Sequence, residues 1–344
     1  MEHKKYFDIL QVYRGIAALL VVIHHTYASF AHFNNLDIPA LAFFAKVGKL
    51  GVDFFFVLSG FIITYTTFKY RGNSDYLKKY FSARILRIYI PYLPIAISLL
   101  ILYSAFPSLS ESGRSISLLT SLTLFPYGNP VLSVAWTLVF EMFFYIVYAI
   151  NFFSKKAWYY FIGFWILSII SSAVFNIKTD IPLLNNFLDL YNLEFILGVF
   201  IAYLIKSGYK PNFKILFPGS LVCLILFLYM RYFNISVFPF SQNLLFSLSA
   251  GLFVMLGIYY WNKSLKSSHL FMLLGNSSYS LYLLHNPLQS ILVRLLPESI
   301  SQIFIIFEFL SVIILIAVIS YIYYLIFEKK IISLLKRKID LYIA

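Results

Sequence analysis

Tyr13-Arg14-Gly15-Ile16-Ala17-Ala18-Leu19-Leu20-Val21-Val22-Ile23-His24-His25 places an arginine and a histidine inside an apolar run. The run is long enough to cross a bilayer, which takes about 20 consecutive apolar residues in a helix. Charge in such a segment is costly and marks a functional site by default. Arg14 and His25 stand eleven positions apart. At about 100° per residue, eleven steps return to within about 20° of the starting direction. The two side chains therefore share a helix face, about 16 Å apart along the axis. His24 points about 100° away from that face.

Comparable runs recur along the chain. Of its 344 residues, 61% are hydrophobic and only 12% charged, and the mean hydropathy is +0.82. A membrane β-barrel would show short alternating segments instead of continuous runs. The expected fold is all-α and polytopic, with ten spans near 11–31, 48–68, 85–106, 131–150, 157–175, 188–205, 215–231, 241–261, 270–294 and 303–327. The first run reads as a retained span rather than a signal peptide, because it carries Arg14 and His25 and no small-residue cleavage site follows. Residues 1–344 read as a single integral-membrane domain without an appended soluble one.

The net charge of +13 finds its explanation in the membrane. With the N-terminus in the cytoplasm and the spans alternating, 21 of the 27 Lys and Arg fall on the inner side. Only Lys46, Lys49, Arg114, Lys178, Arg231 and Arg294 fall outside. This is the positive-inside asymmetry, and it places both termini in the cytoplasm. Basic residues spread over alternate loops do not form a nucleic-acid patch, so no nucleic-acid partner is expected. The single cysteine, Cys223, excludes a disulfide framework within the chain and argues against a Cys-ligated metal; no metal is expected.

A few further ionisable and polar residues lie within the spans. Gly51-Val52-Asp53-Phe54-Phe55-Phe56-Val57-Leu58-Ser59-Gly60 opens the second. There Asp53 could orient an imidazole or pair with a cation, and Ser59-Gly60 admits close approach of a helix or an acyl chain. Arg84 and Arg87 share a helix face at the inner surface, suited either to phosphate recognition or to anionic lipid heads. Glu141 stands among aromatics near mid-depth and must be protonated or paired. Ser278, Tyr282 and His285 form one polar stripe on a later span, with Pro287 just beyond; it lines a substrate path or makes interhelical hydrogen bonds. The depths permit His25, Asp53, Glu141 and His285 to converge in one cavity. His25 is the candidate general base, since imidazole exchanges a proton near neutral pH. Glu194 and Glu308 have no motif around them.

In this order, Arg14-x10-His25, Gly51-Val-Asp-Phe-Phe-Phe-Val-Leu-Ser-Gly60, Arg84-x2-Arg87-Ile-Tyr, Trp136-Thr-Leu-x2-Glu141 and Ser278-Tyr-Ser-Leu-Tyr-Leu-x-His285-x-Pro287 resemble the type 3 membrane acyltransferase family, the bacterial O-acyltransferases of surface polysaccharides. The resemblance implies a ten-helix core that takes cytoplasmic acyl-CoA and acylates a sugar hydroxyl, usually on the outer side. It makes His25 the essential histidine, Arg14 its partner, and Arg84 and Arg87 donor contacts. The family often ends its last span with Glu-Arg-Pro, where this chain has Glu328-Lys329-Lys330.

The expectation is thus an acetyl-CoA-dependent O-acetyltransferase of the bacterial inner membrane, acting on a glycan or lipid-linked glycan such as O-antigen, capsule or exopolysaccharide. Its catalytic residues would be His25, Arg14, Asp53 and Glu141, with donor contacts Arg84 and Arg87 and substrate contacts Ser278, Tyr282 and His285. A polytopic transporter or flippase for a lipid-linked sugar is the rival, because it too would place ionisable groups in a cavity. A glycan polymerase or ligase is a third reading, one that needs no CoA site.

Overall fold

The computed structural model describes residues 5–107, 115–237, 240–261, 269–296 and 301–343. Lys4, Glu111, Gly113, Arg114, Lys263 and Lys266, which entered the loop and charge assignments, lie outside the described residues. Among those residues the chain is helical, with no strand. The α-helices are α1 (Lys5–Phe33), α2 (Pro39–Gly48), α3 (Gly51–Thr67), α4 (Leu77–Ala105), α5 (Leu118–Thr123), α6 (Trp136–Tyr148), α7 (Ile150–Phe153) and α8 (Lys155–Phe175). They continue as α9 (Pro182–Leu188), α10 (Asn192–Lys206), α11 (Phe213–Tyr232), α12 (Ser241–Leu256), α13 (His269–Asn276), α14 (Ser278–Leu295), α15 (Gln302–Tyr323) and α16 (Ile332–Ile343).

A helix stands at each of the ten expected spans. Eight segments among the described residues are long and apolar enough to cross a membrane, or nine if α9 and α10, bent by 44°, count as one span. The remaining position is α13 with α14. It falls short because a break at Ser277 divides it and because His285, Asn286, Gln289 and Arg294 make α14 too polar. The segment 32–47, expected as an outer loop, contains α2. Pro39 presets the first turn, and the apolar Ala40-Leu41-Ala42-Phe43-Phe44 follows. The segment 69–84, expected as an inner loop, folds into two short 3-10 turns and the start of α4. Arg84 and Arg87 are therefore well inside that helix. Pro91 and Pro94 lie within α4 and Pro287 within α14, as membrane helices tolerate.

The chain divides into two compact units. The first comprises Met1–Tyr13, Val52–Lys78 and Phe140–Ser268. Its core joins Ile9 and Leu10 of α1, Val57 and Phe61 of α3, Ile201 of α10 and Val254 of α12. Helices α3 and α10 cross at two glycines. A Cβ on Gly60 would lie 2.0 Å from the Phe195 carbonyl oxygen, and one on Gly198 would lie 2.1 Å from that of Val57. Such contact is open only to residues without a side chain. Beside the crossing, Phe195 stacks on Phe56 at 4.5 Å and on Phe144 at 4.7 Å. Of the two occupants expected at Ser59-Gly60, a helix holds the glycine.

The second unit comprises Arg14–Gly51, Lys79–Val139 and His269–Ala344. Here α1 is gripped through glycines on its neighbours and one of its own. A Cβ on Gly48 would meet the Leu20 carbonyl oxygen at 2.3 Å, one on Gly51 that of Ala17 at 2.3 Å, and one on Gly15 the Gly275 nitrogen at 2.8 Å. This close fit accounts for helix rather than loop at 39–48, since α2 delivers Gly48 onto α1. Helix α14 lies along α15. The Tyr279 hydroxyl ties α14 to the Ile88 carbonyl of α4 at 3.1 Å.

Candidate functional site

Both members of the opening pair, Arg14 and His25, fall in the second unit, on one uninterrupted helix. At the Arg14 end stands Glu328, in the π-helical stretch Tyr324–Ile331 that continues α15. Its electrostatic neighbours include the Arg14 and Arg87 guanidiniums. One oxygen, Oε1, accepts from the Ser280 backbone N–H at 3.0 Å and from its hydroxyl at 2.5 Å. The first turns of α14 are thereby fastened to a carboxylate that feels the charge of both arginines. Two guanidiniums against one carboxylate leave this cluster with one net positive charge. Arg84, on the same helix as Arg87, lies 5.8 Å from the Tyr80 ring centroid.

At the other end, the His25 ring lies 5.2 Å, centroid to centroid, from that of His285. His285 is fully buried; its ring nitrogens lie beside the backbone of Leu281 and Tyr282 but make no hydrogen bond of good geometry. A buried imidazole held so loosely is costly. His24, turned off this face as its position in the helix requires, bonds the Ala45 carbonyl through Nδ1 at 2.8 Å and so holds α2 to α1. The Tyr282 hydroxyl lies 2.9 Å from that of Thr137 and donates to the Val134 carbonyl at 3.1 Å. Ser278 is fully buried. Along α14, Ser280 therefore marks the Arg14 end and His285 the His25 end, and α1 and α14 run in the same direction. Beyond His285 a small cleft of about 100 Å³ opens among Tyr103, Ser133, Asn286, Ser290 and Arg294.

Asp53 and Glu141 belong to the first unit and keep separate company there. Asp53, in the first turn of α3, is buried and accepts from the Asn243 amide at 2.6 Å. Its other acidic neighbour is Glu194 of α10, which accepts from the Ser247 hydroxyl at 3.1 Å. Glu141 accepts from Ser59 at 2.7 Å and from Tyr145, one turn on. Each carboxyl thus bridges helices: α3 to α10 and α12 in one case, α3 to α6 in the other.

The structure brings His25 to His285, and Arg14 to Arg87 through Glu328; it gives Asp53 and Glu141 partners of their own. Glu194 and Asn243 carry no motif that marks them, and Ser280 lies within the motif that begins at Ser278 but off the stripe of Ser278, Tyr282 and His285. For Glu194 a signal existed, since a lone carboxylate in an apolar helix must be paired, but the partner was not readable.

Stacked apolar helices with ionisable groups ordered along one of them define a polytopic membrane protein with an intramembrane polar site. The particular kind follows from comparison. The family model of the type 3 acyltransferases, described as an acyltransferase domain, matches residues 7–325, and the chain belongs to that family. No curated protein and no solved structure matches the chain. It is a membrane acyltransferase.

Proposed function

We propose that this chain transfers an acetyl group from acetyl-CoA to a sugar hydroxyl of a cell-surface polysaccharide, in the bacterial inner membrane with both termini in the cytoplasm. The observation that carries this reading is the order of groups in the second unit. A cationic cluster of Arg14, Arg87 and Glu328 stands at one end of α1, and the His25–His285 pair at the other. The charge distribution over the loops supports an inward-facing arginine end. There a phosphate-rich donor would meet the planar guanidinium forks suited to it, with Arg84 as a further contact on α4. The histidine end faces outward, toward an extracytoplasmic acceptor.

In the reaction, an imidazole nitrogen of His25 takes the proton of the acceptor hydroxyl as that oxygen attacks the thioester carbonyl. The carbon–sulfur bond breaks as the new ester carbon–oxygen bond forms. The departing CoA thiolate receives the proton that His25 holds. His285, against the His25 ring, positions it. Ser278 and Tyr282 complete the stripe of α14 that leads from one end to the other.

The test is mass spectrometry of surface glycan from cells with the wild-type chain, with a His25→Ala variant and without the chain. One acetyl unit should be present only with the wild type. Acetylation that persists in a correctly inserted His25→Ala protein would sink the assignment.

A further inference from the structure

A second cleft, far larger than the one beside His285, lies wholly within the first unit. About 750 Å³ of space, open to solvent, lies among Lys178, Asp180, Asp189, Tyr191, Phe240 and Asn243. That is within the about 300–1,000 Å³ of small-molecule sites and leaves room for a short oligosaccharide segment. Its walls are the turn after α8, the bend between α9 and α10, and the start of α12. Counting spans from a cytoplasmic N-terminus puts all three on the outer side.

The lining has a definite chemistry. Two carboxylates against one ammonium give it a net negative charge, which opposes phosphate and CoA. Tyr191 and Phe240 meet edge to face at 5.9 Å and 90°, offering apolar ring surface beside the polar groups. The bend is held in shape independently of any ligand. Asp189 accepts from the Tyr191 backbone N–H at 2.9 Å, and the Asn192 amide binds the carbonyls of Asn186 and Asp189 at 2.7 and 3.0 Å.

Asn243 forms part of the wall and is set from behind. Its amide nitrogen donates to buried Asp53 at 2.6 Å, an arrangement that chemistry dictates because an ionised carboxylate only accepts. The amide oxygen takes no hydrogen bond from the described residues. It is the atom left to accept from a ligand hydroxyl. Fixed acceptors beside aromatic rings, under net negative charge, match a polyhydroxylated uncharged molecule and mismatch an anion.

We infer that this cleft binds an uncharged oligosaccharide segment of the acceptor glycan, and that Asp53 is a positioning residue for its Asn243 wall. The inference rests on the glycan reading above, but it assigns a binding site that the motifs do not mark.

Photocrosslinking in the cells that produce the chain tests it directly, with their own surface glycan as the probe. The full-length chain would carry p-benzoylphenylalanine in place of Phe240 or, as a control, in place of Tyr160, which is 79% exposed on α8. The expected result is a periodate-sensitive carbohydrate adduct at position 240, absent at 160 and reduced at least fivefold by Asp189→Asn. That variant keeps an oxygen for the Tyr191 N–H and so preserves the bend. Adducts at 240 that contain only phospholipid or only protein would overturn the inference, as would none at all while the glycan is being acetylated.

Acetylation is measured on the same cells. Acetylated glycan without the adduct refutes the cleft and leaves the transferase reading intact. An adduct on glycan that never carries acetyl refutes the transferase reading and leaves the cleft. In membranes, Asp180→Asn with Asp189→Asn should raise the glycan concentration for half-maximal transfer at least tenfold. The acetyl-CoA requirement should stay unchanged; a fall in turnover with no change in glycan requirement would instead indicate a structural role.

Discussion

Replacing Glu328 by glutamine removes one negative charge from between Arg14 and Arg87 while keeping the side chain's shape. The amide oxygen still accepts from the Ser280 N–H now at 3.0 Å, so that hydrogen bond survives in neutral form. What is lost is the electrostatic part. At a separation of about 5 Å and an effective dielectric of about 20, one charge pair is worth about 3 kcal/mol. Two guanidiniums face this carboxylate, and the variant leaves them to repel each other. Desolvation of the carboxylate offsets much of the attraction, and removing one partner of a buried pair costs about 3–5 kcal/mol. Glu328 is only partly buried, so a loss of about 2 kcal/mol in the unliganded protein is expected. If the same arginines receive donor phosphates, acetyl-CoA replaces the missing negative charge. The assay is thermal unfolding in nanodiscs followed by tryptophan fluorescence, without and with saturating acetyl-CoA. The variant should melt below the wild type when empty and recover most of the difference when donor is bound, with a donor Kd no weaker than the wild type's. An unchanged midpoint would refute the ion cluster. A lowered midpoint that acetyl-CoA leaves untouched would refute the assignment of the cluster to the donor.

Gly60→Leu should abolish folding of the first unit, because its Cβ would stand 2.0 Å from the Phe195 carbonyl oxygen; Gly163→Ala, with nothing within 4 Å of its added Cβ, should be silent. Monodisperse yield in detergent distinguishes the two, and equal yields would mean that α3 and α10 do not cross as described. His285→Gln should lower acetyl transfer at least tenfold with acetyl-CoA binding unchanged, as single-turnover and equilibrium binding measurements would reveal; full activity would remove His285 from the site. Tyr282→Phe removes the hydroxyl that bonds Thr137 and Val134 of the second unit, which keep the 3.0 Å hydrogen bond from the Thr137 hydroxyl to the Val134 carbonyl. A loss of about 0.5–1.5 kcal/mol is expected, visible as a lower unfolding midpoint, and an unchanged midpoint would show that the Tyr282 hydrogen bonds contribute nothing.

Parts of the site were legible in the sequence because they depend on local periodicity. Arg14 and His25 share a face on any regular helix, and His24 is excluded from it on the same ground; its bond to Ala45 agrees. The partners of Glu328 were not legible. Glu328, Arg14 and Arg87 belong to three helices far apart in the chain, and the residues around Glu328 depart from the family's usual ending. Glu194 was passed over for a similar reason, since its link to Asp53 depends on the Gly60–Gly198 crossing that brings α10 against α3. The helix at 39–48 was masked by the polar residues before it and is decided by the fit of Gly48 against α1.

The sequence by itself determined the class of fold, because burying 61% hydrophobic residues in continuous runs leaves membrane helices as the solution. It also determined the register of Arg14 with His25, through the helical repeat, while the uneven distribution of lysine and arginine supplies an expectation for which ends face the cytoplasm. Only the tertiary structure decided which charge meets which. Pairing in the membrane depends on how closely two backbones approach, and that distance is set by small residues on different helices, which periodicity within one helix does not report.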